Sequence, residues 1–294
     1  MRAFVGFPQV ASELKIMSTL VRAFAALTAV SVTACSTQRP LDENLASTGQ
    51  SLRDALALKT FTVDEPLELK TTGPLAVHVE NFGGDVVVRG NPKAKHTTVE
   101  VRRVSNMGWG RWQESREELA DIKWSATLEP RKGGGDTLQV RANSTNPEPY
   151  FFRAEITIET PALDAVTVRT QEGGVWVMEN QGPVDIETTR GDVRMCTPWP
   201  MTEPMKIITC NGAIDYRVRG ESRGAFDCET HGGEVRQRCE FGRWNAMVKG
   251  NDHDRLVATL NEGQNPVYLR TSEKNIRVAV VPDPANVGRE IMDP

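Results

Sequence analysis

The segments 184–195, 205–216 and 226–237 begin 21 residues apart and share one pattern. Numbered from 0, positions 0, 2, 9 and 11 are mostly apolar and the positions between them mostly polar. Further copies run 166–177, 267–278 and, far upstream, 77–88, while 247–258 fills a seventh place poorly. Thr or Asn stands at position 4, as Asn81, Thr170, Thr188, Thr209, Thr230 and Thr271. Gly stands at position 7, as Gly84, Gly173, Gly191, Gly212 and Gly233, with Lys274 in its place in the last copy. A repeat of this length means one supersecondary unit used many times.

Alternation at period 2 describes strands with one buried face. Two short strands per copy, joined at a glycine corner, cannot bury that face alone. Stacked copies can, each bonded to the next about 4.8 Å away. The expected fold is therefore all-β, a β-solenoid of rungs taken in chain order, with the glycines at positive φ. A meandering antiparallel sandwich has no reason to keep Thr and Gly at fixed offsets.

Residues 61–160 are less regular. Ile122, Trp124, Ala126 and Leu128 alternate, as do Leu138 with Val140, and Phe152, Ala154, Ile156 and Ile158. This portion is expected to cap the solenoid or form its first, longer rungs. The charged stretch 113–121 reads as a short exposed helix or lid.

The N-terminus carries an address. Residues 23–32 are an uncharged run, long enough for a signal-peptide core and too short to span a bilayer. Val32-Thr33-Ala34-Cys35 closes it and resembles the bacterial lipobox, which implies a diacylglyceryl group on Cys35 and Ser36 as the sorting residue. A residue other than Asp at that place implies the outer membrane where the cell has one. Met17 offers a more compact start than Met1. The expected organisation is a lipoprotein signal over 1–34, a lipid-anchored tether over 35–60, the solenoid over 61–282 and a tail over 283–294.

The phrase Val-Glu-Asn-Phe-Gly-Gly-Asp-Val-Val-Val-Arg-Gly at 79–90, Ala-Glu-Ile-Thr-Ile-Glu-Thr-Pro at 154–161 and the tandem Thr-x-x-Gly-x-Val units resemble a bacterial putative-adhesin family. That is a domain of unknown function found on lipoproteins and envelope proteins. The resemblance spans roughly residues 65–280, implies a β-solenoid, and brings no catalytic residues with it.

Lys and Arg number 35 against 39 Asp and Glu, a net charge of −4, so no basic footprint for nucleic acid exists. No phosphate loop, zinc-protease, nucleophile-elbow or paired Cys-x-x-Cys motif occurs. No cofactor and no metal is expected. Trp176 stands out at position 10, where four other copies carry the charged Arg194, Asp215, Arg236 and Arg277. Apart from Cys35, Cys196, Cys210, Cys228 and Cys239 remain. In an oxidising compartment Cys228 with Cys239 and Cys196 with Cys210 are the pairings the register allows, and free thiols are the alternative. At position 5, Cys210, His231 and Asp252 would stack on consecutive rungs, as a nucleophile set or, with His253, as zinc ligands. A plain polar ladder is the simpler account. The overall expectation is a non-enzymatic envelope scaffold that presents a polar face to an envelope protein or surface polymer. The alternative is a solenoid enzyme acting on polysaccharide.

Overall fold

A computed structural model describes residues 60–107, 111–246 and 252–285. The chain runs through β1 (Thr60–Val63), β2 (Leu67–Leu69), β3 (Leu75–Asn81), β4 (Val86–Gly90) and β5 (Thr97–Ser105) to helix α1 (Trp112–Glu118). It continues through β6 (Ile122–Pro130), β7 (Asp136–Ser144), β8 (Phe152–Thr160), β9 (Leu163–Glu172) and β10 (Val175–Met178). Then follow β11 (Val184–Arg190), β12 (Val193–Cys196), β13 (Met205–Asn211), β14 (Ile214–Val218), β15 (Gly224–Thr230) and β16 (Val235–Cys239). The last strands are β17 (Trp244–Ala246), β18 (Arg255–Leu260), β19 (Pro266–Thr271) and β20 (Ile276–Val280).

Six copies of the repeat each supply one strand to each of two facing sheets, and the glycine corner lies between the two strands. Positions 0 and 2 point between the sheets, as do 9 and 11. In the copy at 184 these are Val184, Ile186, Val193 and Met195, all at most 2% exposed. Fully burying such a side chain contributes roughly 1.5–3 kcal/mol, so the stacked interior holds the fold. The result is a flattened β-solenoid with parallel pairing along both sheets.

The rungs are not stacked in chain order, which corrects the expectation. One sheet runs β17-β18-β15-β19-β13-β11-β9-β3-β7-β6, so the last copy lies between the copies at 205 and 226. At the other end the first copy lies inside a later rung made of β7 and β8. The chain thus goes out and back at both ends. The residues of 247–258 that are described do not form a rung. They lead into β18, which pairs antiparallel with β15.

Antiparallel strands close both ends. β5 pairs with β8 and β6 with β7 at one end, with Met107, Leu119 and Ile122 buried there. Helix α1 lies in the connection between β5 and β6, where an exposed helix is expected. At the other end Phe226 packs on Trp244 with ring centres 4.9 Å apart and lies 6.1 Å from Tyr216.

The corner explains the fixed offsets. A Cβ on Gly173 would sit 2.2 Å from the carbonyl oxygen of Gly84, one on Gly191 1.9 Å from that of Gly173, and one on Gly212 1.8 Å from that of Gly191. Glycine recurs because each corner backbone presses on the one before it. Gly84, Gly173 and Gly191 have φ of +109°, +115° and +150°, but Gly212 and Gly233 lie outside the left-handed region, contrary to expectation. Position 4 serves the same corner. Thr209 Oγ1 donates to the Gly191 carbonyl at 3.1 Å, Thr271 Oγ1 to that of Gly212 at 2.7 Å, and Thr230 Oγ1 to that of Lys274 at 2.7 Å. Asn81 Nδ2 donates to Ala154 O at 2.8 Å in the same way.

Candidate functional site

Odd positions on the first strand of each rung point out of the solenoid. On β6, β7, β3, β9, β11 and β13 these side chains border a groove that crosses the strands, with a volume of about 930 Å³. Six strands at about 4.8 Å spacing make it about 24 Å long.

Two rows line it. Position 3 runs Ser125, Arg141, Glu80, Arg169, Glu187 and Ile208 across adjacent strands. The charges of this row are matched. Arg141 Nε lies 3.1 Å from Glu80 and Arg169 Nε 3.5 Å from Glu187. Lys206 also pairs with Glu187, and Arg169 reaches Asp185 at 2.6 Å. The hydrogen bond from His78, and after it the Arg141 charge, hold the Glu80 carboxyl below the usual carboxylate range.

Position 5 is different. Continuing the same register, it runs Lys123, Asn143, Phe82, Gln171, Thr189 and Cys210. Apart from Lys123 at the end, this row is uncharged. Asn143, Gln171 and Thr189 are exposed, and Phe82 is half-buried against the core.

Of the candidate nucleophile, disulfide and metal-ligand residues read from the sequence, only Cys210 lines the groove, beside the position-4 residues Asn81, Thr170 and Thr188. Because the copy at 267 intervenes, Ser272 separates Cys210 from His231, and Ser272 N donates to Cys210 O at 3.1 Å. Cys210 and His231 are two rungs apart, about 9.6 Å by the stacking distance, which is no contact. Asp252 belongs to the turn before β18, bridged to Arg255, where its carboxylate accepts from the His253 ring at 2.9 Å. The expected Cys210–His231–Asp252 ladder is therefore not formed. Asp252, His253 and Asp254 have ligand-type atoms within 4.8 Å of one another on this turn, without Cys210 or His231.

Neither expected disulfide forms, for all four described cysteines are free. Cys228 is buried on β15, and Cys239 Sγ instead donates to Phe241 O at 3.1 Å. Cys196 on β12 faces Arg217 rather than Cys210. Burial pushes the thiols of Cys228, Cys196 and Cys239 up. Iodoacetamide should therefore modify Cys210 first in the native chain and Cys228 only after unfolding, as peptide mass spectrometry would report. His231→Ala should leave the Cys210 rate within about twofold, since no imidazole touches the thiol. Trp176 is half-buried beside Gly174, whose Cβ would meet its ring at 2.9 Å. Cys35 lies outside the described residues.

The groove lining escaped the repeat for a local reason. Phe82 is position 5 of the first copy, and Gln171 and Thr189 share its register. The β7 rung, however, lacks the glycine corner, so nothing in its sequence places Arg141 and Asn143 beside them.

The family described as Toastrack DUF4097 matches residues 118–279, more than half of the chain. The chain belongs to the Toastrack DUF4097 family. This agrees with the resemblance carried by 79–90 and 154–161, although the first rung of this Toastrack chain precedes the matched segment and packs inside it. Among solved structures, the chain is similar to a "putative cell adhesion protein" from Clostridium sporogenes, with TM-score 0.48 and 11% identity over 76% of this chain and 99% of that one. It is also similar to a "putative adhesin" from Bacteroides fragilis, with TM-score 0.32 and 9% identity over 76% and 97%. A third is a "putative lipid binding protein" from Parabacteroides distasonis, with TM-score 0.23 and 8% identity over 76% and 97%. No curated protein matches the chain. Among the described residues no helix is long and apolar enough to cross a membrane.

Proposed function

We propose that this Toastrack chain is a non-enzymatic binding scaffold of the bacterial cell envelope. In this reading, lipid on Cys35 holds it to the outer membrane and the solenoid groove receives an extended surface polymer or envelope protein. The groove itself carries the reading: a continuous concave surface across six strands, on a rigid sheet, suits a long ligand. The charges support binding over catalysis. A general acid needs a raised carboxyl pKa, whereas Glu80 is shifted down and Glu187 is engaged by Arg169 and Lys206. The lipobox at 32–35 supports the anchor, and the polar stretch 36–60 gives it a tether.

Cysteine footprinting tests the reading, because Cys210 is an exposed thiol inside the groove. In isolated envelopes N-ethylmaleimide should modify Cys210 at least fivefold more slowly than after detergent extraction and purification. Equal rates in both settings would show a groove that nothing occupies. The anchor has its own test. Cys35→Ala should move the protein from the membrane to the soluble fraction, and a variant still membrane-bound in high salt would refute lipid attachment.

A further inference from the structure

We propose that the groove takes an uncharged polysaccharide laid across the strands, a ligand class that rests on the groove being the binding face. Three observations select it. The groove floor is the face of a sheet, and its backbone N–H and C=O groups are spent on neighbouring strands. An extended peptide recognised through its main chain needs a free sheet edge, which this floor does not offer. The charges at position 3 are matched in pairs, so the floor sets up no strong field of one sign to draw in a polyanion or polycation.

The uncharged row decides the matter. Asn143, Gln171 and Thr189 stand on β7, β9 and β11, and Phe82, the residue directly after β3, stands between Asn143 and Gln171. Amide and hydroxyl side chains both donate and accept, as the vicinal hydroxyls of a sugar do. Phe82 offers an apolar ring between them, and the C–H face of a pyranose packs on such a surface. Repeating rungs set side by side match a ligand that itself repeats. Ser272, just past β19, and His231, just past β15, continue the row beyond the groove.

The test uses the full chain in detergent with dextran, mannan, cellohexaose and chitohexaose as neutral probes, and with polygalacturonate and heparin as charged ones. At least one neutral probe should bind by calorimetry and slow N-ethylmaleimide modification of Cys210, and the charged probes should bind at least tenfold more weakly. Gln171→Ala and Phe82→Ala should each weaken the neutral probe about tenfold, while His231→Ala leaves it unchanged. Gln171 is exposed, so its variant keeps the test valid if Phe82→Ala unfolds. Absence of binding to all four neutral probes, preference for a charged one, or indifference to Gln171→Ala overturns the proposal. If Cys210 is protected in envelopes but by none of the neutral probes, the ligand class is wrong and the binding scaffold stands. If it is protected in neither setting, both fall.

Discussion

Gly212→Val is expected to lower the melting temperature sharply, whereas Ala213→Ser beside it leaves the melt nearly unchanged. A Cβ on Gly212 would lie 1.8 Å from the Gly191 carbonyl oxygen and 2.4 Å from its carbon. Both are backbone atoms of the corner between β11 and β12, where Gly191 N donates to Asn211 O at 3.1 Å, so no side chain can swing aside. Overpacking of this kind costs about 3 kcal/mol or more. For a domain of this size that is a fall of roughly 6–12 °C. Gly212 lies outside the left-handed region, so the penalty comes from the approach of the two rungs rather than from its own dihedral angles. Ala213 is half-buried and its backbone N–H donates to Asp192 Oδ1 at 2.8 Å, a bond that Ser keeps. Matching thermal melts for the two variants would refute the close-packed corner.

The second large effect concerns a buried ion pair. Arg217 on β14 donates to Asp215 at 2.9 Å through Nε and at 2.6 Å through a terminal nitrogen, and their side chains are only 7% and 13% exposed. Asp215→Ala removes the carboxylate while the guanidinium stays buried, which costs about 3–5 kcal/mol. The pair Arg236 and Glu234, at 35% and 52% exposure, makes the control. Glu234→Ala should cost at most about 1 kcal/mol, because solvent screens an exposed pair. The double variant Asp215→Leu with Arg217→Met should recover most of the loss, since apolar replacement of a buried pair is often neutral. Urea unfolding measures all three, and equal losses for Asp215→Ala and Glu234→Ala would contradict the assignment.

The period, the inward positions and the glycine corners are legible in the sequence because each depends on residues close together in the chain. The order of the rungs is not, because strands pair through space and the chain leaves one slot to be filled later. A clue was present. Position 11 points inward and holds Val88, Val177, Met195, Tyr216 and Val278, yet Gln237 occupies it in the copy at 226. A polar, exposed residue at an inward position marks an end rung, so the final copy had to pack inside it. Lys274 fits the same logic. It takes a corner place outside the left-handed region, where its carbonyl still accepts from Thr230. The Cys210–His231–Asp252 ladder failed for want of this order, since one inserted rung breaks every neighbour relation at that end. The groove was half-legible. Its β3, β9, β11 and β13 walls follow from outward positions 3 and 5, but the β6 and β7 walls belong to strands that do not repeat the motif.

The strand order underlies the corner, the groove and the loss of the ladder together, and cross-linking reads it directly. Ser272→Cys places a second thiol on the rung beside Cys210, and His231→Cys places one two rungs away. Adjacent strands bring such positions to about 4.8 Å, whereas two rungs separate them by about 9.6 Å, beyond the reach of a disulfide. Under mild oxidation, peptide mapping should find a 210–272 bridge in the first variant and no 210–231 bridge in the second. A 210–231 bridge without a 210–272 bridge would mean that the rungs stack in chain order, and the account would be wrong.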